Sequence, residues 1–354
     1  MDELTRLTAK LITFKTVKEH PEELQRCTEF IARYFKNKHV RKFMHNGKPS
    51  LFITNRKTKR PKILLNGHID VVEGEPEQFL PRIKAGRLYG RGAVDMKAGV
   101  AACMLAMQHS TGDVGLMIVA DEEIGGMDGT GFLIKKGYGG RFVIGAEPNQ
   151  AKQPGQLDIT IAHKGVLWIK VIAHGKACHG SRPWLGKNAA EKLIAAYAAI
   201  KKAFPETTPQ DRWKNTLNLG SIHAGNSPNR VPDRAEMTLD IRFTENNTPQ
   251  KLLSRLRKLT DCKIETIEAS PLLKNKNNRM IKKLQKTIMA TTKKPCLLLK
   301  EHGSSDLRYT SEKGMTSVIF GPRGANYHGK DEYVEVRSLA TYYAALMRFL
   351  NEES

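Results

Sequence analysis

Acidic and histidine side chains sit at the ends of apolar runs in this chain. "ILLNGHID", 63–70, ends in His68 and Asp70. "GLMIVADEE", 115–123, ends in Glu122 and Glu123. "FVIGAEP", 142–148, delivers Glu147. "SVIFGPRGANYHGKDE", 317–332, carries His328 beyond its apolar run, and Asp95 lies in "LYGRGAVDMKAG", 88–99, between a glycine-rich turn and an apolar stretch. Two histidines with several carboxylates suit a hard-to-borderline divalent cation, zinc first. Carboxylates crowded together raise one another's pKa. Two cations roughly 3.5–4 Å apart, sharing one carboxylate, would relieve that repulsion. Residues two apart on an extended chain face the same side, so His68 is expected as a ligand. Asp70 is expected as the acceptor that fixes its ring. Each motif alone has a bland reading. Asp95 can cap a helix, "DEE" can be a solvated loop, and Glu147 before proline can simply end a strand. Their occurrence together, each at a strand end, is what points to chemistry.

Positioning them requires a sheet. "SLFITN", "PKILLNGH", "VGLMIVA" and "GRFVIGAE" read as strands, and "MKAGVAACMLAMQH" reads as a buried helix. Residues 3–36 read as an amphipathic helix broken near His20-Pro21, and "GTGFLIKKG" begins another helix. Apolar runs alternating with helices predict an α/β fold, a mostly parallel sheet with helices on both faces. Ligands bind such sheets outside the carboxyl ends of the strands. The middle of the chain differs. Strand-like alternation in 158–175 is followed by a helix, two strands, a helix and a strand, "CKIETIEA". This β-α-β-β-α-β order predicts a ferredoxin-like α+β unit. The first pattern then returns with a helix at 278–291, strands "CLLLKE" and "TSVIFGP", and a final helix at 336–351. The expected organisation is a catalytic domain from 1–159 and 271–354, with a second domain, 160–270, inserted.

The 354 residues carry a formal charge of +22. Such a field can attract nucleic acid, anionic membranes or acidic substrates. The basic stretches lack interleaved aromatics, however, and none sits in a recognisable nucleic-acid module, so nucleic acid is not expected as a partner. Five scattered cysteines without a CxxC pair give neither a disulfide framework nor a cysteine zinc site. "MDELTRLTAKLITFKTV" lacks an apolar run of signal length, and no stretch approaches the roughly 20 apolar residues of a membrane span. A cytoplasmic, membrane-free protein is the expectation.

"GHIDVV", "LYGRGAVDMKAG", "ADEEIGG", "GAEP", "GKACHGSRPWLGKNA", "NRVPDRAEMTLDIR" and "HGSSD…YH", in that order, resemble the blocks of a known family. It is the family of dinuclear zinc amidohydrolases and exopeptidases that includes succinyl-diaminopimelate desuccinylase, acetylornithine deacetylase, the glutamate carboxypeptidases and aminoacylase. The resemblance covers nearly the whole chain. It implies a zinc-peptidase-like catalytic domain and an inserted lid and dimerisation domain. It implies two divalent metals, zinc with cobalt or manganese as substitutes: His68 and Glu147 on one, Glu123 and His328 on the other, Asp95 bridging. Glu122 would be the general base, and a cis peptide would follow Asp95. His179 would be the oxyanion donor, reaching the active site of a partner subunit in a homodimer. Asn229 and Arg242 would contact the substrate's carboxylate or scissile carbonyl. "GSSDLR", 303–308, matches a G-T-S-D-G-R block and puts Ser304, Ser305 and Arg308 at the substrate, with Ser304 replacing threonine and Leu307 replacing glycine.

The implied activity is metal-dependent hydrolysis of the amide bond of an N-acyl amino acid. The desuccinylase and deacetylase branch is favoured over a metallo-carboxypeptidase or dipeptidase. A non-catalytic binding protein on the same scaffold is a further reading, whose mark would be a lost ligand or base, and none is missing.

Overall fold

Three apolar strands, Ile63–His68, Val114–Val119 and Phe142–Gly145, are buried along their entire length. A strand buried on both faces must be covered on both, as in parallel α/β sheets. The computed structural model describes every residue except 150, 152, 209, 211, 276 and 277. It divides into two compact units, one of Met1–Ala162, Lys274–Lys300 and Ser305–Ser354, the other of His163–Leu273 with Glu301–Ser304.

The first unit is built on a sheet ordered His39–His45, Lys48–Thr54, Val114–Val119, Ile63–His68, Phe142–Gly145, Thr316–Ile319 and Ile159–His163. The four strands from Val114–Val119 to Thr316–Ile319 run parallel. Antiparallel strands flank them on both sides. Helix Ala98–His109 packs against the sheet and against helices Glu3–Ile12 and Val336–Glu353. Its first ten residues are all buried, and small side chains make that approach feasible. At Gly99 a Cβ would lie 2.1 Å from the Ala146 carbonyl oxygen, so only glycine fits. The amphipathic segment 3–36 forms two helices, Glu3–Ile12 capped by Asp2 and Pro21–Tyr34 with proline at its first turn.

Two features were not expected from the sequence. His39–His45 is a strand, and a small four-stranded sheet joins Arg82–Lys84, Arg87–Tyr89, Tyr333–Glu335 and Gly324–Ala325.

The second unit has an antiparallel sheet ordered Thr216–Ala224, Arg234–Phe243, Gly165–His174 and Lys263–Ser270. With helices Ala189–Lys202 and Pro249–Arg257 it has the ferredoxin-like order. Alternation sets its faces. Ala235, Met237, Leu239, Ile241 and Phe243 join the core with Leu193, Ile200, Leu252 and Leu256 of the helices, while Arg234 to Arg242 alternate outward.

Candidate active site

Four neighbouring parallel strands end beside one another in the first unit. His68 is the last residue of its strand, Glu122 and Glu123 follow Val114–Val119, Glu147 follows Phe142–Gly145, and His328 lies in the loop beyond Thr316–Ile319. Asp95 enters from the turn before helix Ala98–His109. That turn begins at Gly92, whose φ of +75° favours glycine, and its Asp95–Met96 peptide bond is cis.

Asp95 presents one oxygen to each histidine. Its Oδ1 lies 3.4 Å from His68 Nε2 and its Oδ2 3.4 Å from His328 Nε2. Glu147 lies 3.8 Å from His68 Nε2, and Glu123 lies 3.1 Å from His328 Nε2. Among the described residues, His68, Asp95 and Glu147 form one group whose ligand atoms all lie within 4.8 Å of one another; Asp95, Glu123 and His328 form the other. The buried His68 Nε2 has no hydrogen-bond partner, although it sits between two carboxylates. An orphaned imidazole nitrogen among carboxylate oxygens fits a divalent cation, and the shared Asp95 fits two.

The electrostatics of the cluster ask for positive charge. Burial works against the His68 cation. The Glu147 charge, with the carboxylates of Asp70 and Asp95 also close by, nevertheless lifts its pKa well above the usual histidine range. His328 is pushed up to about 10 by its hydrogen bonds to Asp95 and Glu123. Burial raises Asp95, but the imidazoles of His328 and His68 beside it outweigh that and hold the carboxyl low. Burial raises Glu147 to about 7. Glu122 also rises well above the carboxylate range, first through burial and then through the charges of Glu147, Asp306 and Asp95, with His68 opposing.

Glu122–Ile124 is a turn of 3-10 helix. One local expectation needs correction. His68 Nδ1 lies 2.9 Å from the Asp70 main-chain carbonyl and 3.5 Å from the Asp70 carboxylate. The carbonyl is therefore the nearer partner fixing the ring. The Asp70 carboxylate accepts instead from the Glu123 backbone N–H at 2.9 Å, which ties His68 to Glu123.

Sequence reasoning missed Glu332 and Arg91. Glu332 is 1% exposed and accepts from the amides of Gly92, Val94 and Asp95 and from the Arg91 guanidinium. An arginine in a glycine-rich turn before a buried helix was the available signal, because its charge needs a partner there.

Ser305 and Arg308 are buried in the first unit. Arg308 Nη2 and the Tyr309 hydroxyl both donate to the Gly125 carbonyl at 2.6 Å, just after the Glu122 turn. The neighbouring Asp306 accepts from Thr130 Oγ1 at 2.6 Å. The remaining expected substrate residues lie in the second unit. His179 is exposed, in a two-residue bridge of Cys178–His179 with Arg230–Val231, and its Nδ1 meets Ser181 Oγ at 2.8 Å. The Asn229 carbonyl accepts from Gly180 N–H, so Asn229 is tied to the His179 turn. Arg242 forks onto Asp240 at 2.8 and 3.2 Å, and Ser304 belongs to this unit too.

Residues 64–352 match the model of peptidase family M20/M25/M40. The chain belongs to this family. It is accordingly a metal-dependent hydrolase. Its relatives include succinyl-diaminopimelate desuccinylases of Cupriavidus pinatubonensis, 31% identical over 77% of this chain and 76% of that one, and of Helicobacter pylori, 29% identical over 77% and 74%. Solved structures of the same fold include an M20 family metallo-carboxypeptidase from Sulfolobus solfataricus, with a TM-score of 0.80, 18% identity and 99% of each chain covered. The aminopeptidase PepT from Bacillus cereus gives 0.80 at 17% identity, with 98% of each chain covered.

Proposed function

We propose that this family member hydrolyses the amide bond of an N-acyl amino acid, in the manner of a desuccinylase or deacetylase, with two zinc ions. The observation that carries the reading is Asp95, whose two oxygens face two histidines, each histidine having its own second carboxylate. His68, Asp95 and Glu147 would hold one cation; Asp95, Glu123 and His328 would hold the other. When bound, the cations supply Lewis-acid polarisation of the scissile carbonyl and make water more acidic. Glu122 takes a proton from the attacking water as its oxygen bonds to the carbonyl carbon. It returns that proton to the amine nitrogen as the C–N bond breaks. Asp70 keeps the His68 ring oriented through its carbonyl and the Glu123 main chain placed through its carboxylate. His179 supplies a donor to the oxyanion from a partner subunit of a homodimer formed through the inserted unit. Asn229, Arg242 and Ser304 of the second unit, and Ser305 and Arg308 of the first, are the candidates for substrate contact. An arginine fork matches a carboxylate. The reaction is placed in the cytoplasm.

The test is release of free amine from N-succinyl-diaminopimelate, N-acetylornithine and a set of dipeptides, with zinc and again with a chelator. Chelator-sensitive turnover of one acylated substrate is the expected result. Turnover confined to dipeptides would move the assignment to a peptidase. No turnover with any substrate would leave a binding protein.

A further inference from the structure

We infer that Glu332 is the positioning residue that sets the spacing between Asp95 and His328, acting together with Arg91 as one buried link. The inference rests on the reading that Asp95, Glu123 and His328 hold a cation. Among the described residues, Glu332 makes no hydrogen bond to His68 or His328. Its two oxygens divide four donors. Oε2 accepts from Arg91 Nη1 and Gly92 N–H, both at 2.9 Å; Oε1 accepts from Val94 and Asp95 N–H at 3.0 and 3.1 Å. The turn that presents Asp95 is thus wrapped around one carboxylate. The other arm of Arg91 reaches the opposite side of the cluster. Its Nη2 donates to the carbonyl of His328 at 3.3 Å and to that of Glu73 at 3.1 Å. Chain segments more than two hundred residues apart are therefore joined through a single ion pair, with both partners almost fully buried.

The loop on the far side needs such a hold. His328 has a φ of +62° and Asn326 a φ of +58°, a region that side chains other than glycine seldom occupy. Gln78 adds two bonds to it, donating to the carbonyls of Gly329 and Lys330 at 3.0 Å. A buried ion pair is weak evidence for stability, because desolvation offsets its attraction. The geometry of this one accounts for it differently: it places ligands from two distant segments at one point, as outer-shell partners of metal ligands do.

Glu332→Gln separates positioning from general stability. The new NH2 group would face two N–H donors where an oxygen now accepts, and the Asp95 turn would be displaced. Isothermal titration of the chelator-stripped protein with zinc, and with cobalt followed by its visible absorption, reads the effect without turnover. The expected result is an affinity about 10–100-fold weaker for the equivalent that also uses His328, a smaller loss at the other through the shared Asp95, and an altered cobalt spectrum. kcat should fall while KM stays near its original value. Arg91→Lys is the second variant, should Glu332→Gln fail to fold. It keeps a charge against Glu332 but cannot also fork to the His328 carbonyl, and it should weaken the same equivalent. A folded variant of either kind that binds both equivalents as tightly as the original protein, with an unchanged spectrum, overturns the inference and leaves the proposed function standing. An original protein that takes up neither metal overturns both.

Discussion

Glu122 illustrates how much a single residue's surroundings decide. Glu122 and Glu123 are adjacent and chemically alike, yet Glu123 lies 3.1 Å from His328 while Glu122 is lifted by burial and by the charges of Glu147, Asp306 and Asp95. Different tasks follow from different neighbours. Glu122→Gln should therefore lower kcat by about 10²–10⁴-fold, while zinc uptake by titration and the far-UV spectrum stay as they were. Near-normal turnover would remove Glu122 from the mechanism. At this scale the sequence displayed most of the acids and histidines plainly, because they follow apolar runs, while Asp95 shows between a glycine-rich turn and an apolar stretch. It could not display Glu332, a glutamate in a polar loop with no pattern around it. Nor could it show that Asp70 meets His68 chiefly through its carbonyl, since that depends on how the chain turns after the strand.

Elements carry those residues to one place, and their fit is tight. Gly99 opens helix Ala98–His109 against the backbone just before Glu147. A Cβ there would lie 2.1 Å from the Ala146 carbonyl oxygen and 2.9 Å from the Ala146 side chain. Backbone cannot swing aside as a flexible side chain does. Gly99→Ala should cost about 1–3 kcal/mol through overpacking, seen as a lowered urea midpoint, and should weaken zinc uptake as Glu147 is pushed out of place. An unchanged midpoint with unchanged uptake would show that the helix shifts freely. The buried strands and the long helices were legible because their apolar runs are continuous or periodic. His39–His45 was not, since "HVRKFMH" is strongly basic. It is the edge strand of its sheet, pairing among the described residues with Lys48–Thr54 alone, and charged residues are common at edges. The small sheet around Arg87–Tyr89 and Tyr333–Glu335 was also hidden, because strands of three residues leave no measurable alternation.

The whole molecule combines a charge of +22 with a local excess of carboxylates in the first unit. A positive field of that size raises the local concentration of anions around the molecule. No helix among the described residues is long and apolar enough to cross a membrane. The thiols report on how closed the fold is. All five cysteines are free, and burial pushes Cys27, Cys103 and Cys296 up to about 12. Cys262 is also buried, whereas Cys178 is partly exposed. Iodoacetamide at neutral pH should therefore label Cys178 first, and the other four only after unfolding, as peptide mass mapping would show. Early labelling at Cys27 or Cys103 would mean that the first unit opens readily.

Chelation tests the same molecule as a thermodynamic whole. Asp95, Glu123 and Glu147 are held together with two histidines whose pKa values their charges raise. Clustered carboxylates repel, and the histidines can offset that only by carrying protons. A divalent cation supplies the charge directly and binds the folded chain, because unfolding scatters ligands that are far apart in sequence. Binding to the native state alone stabilises it by about 2.7 kcal/mol when free cation is a hundredfold above its dissociation constant. The thermal midpoint should therefore fall on treatment with chelator and return when zinc is added back. It should also rise with zinc concentration, without a plateau at the first equivalent. A midpoint indifferent to chelator and zinc would mean that the five strand-end and turn residues are held in place by protons and hydrogen bonds alone, and the reading of a metal centre would fall with it.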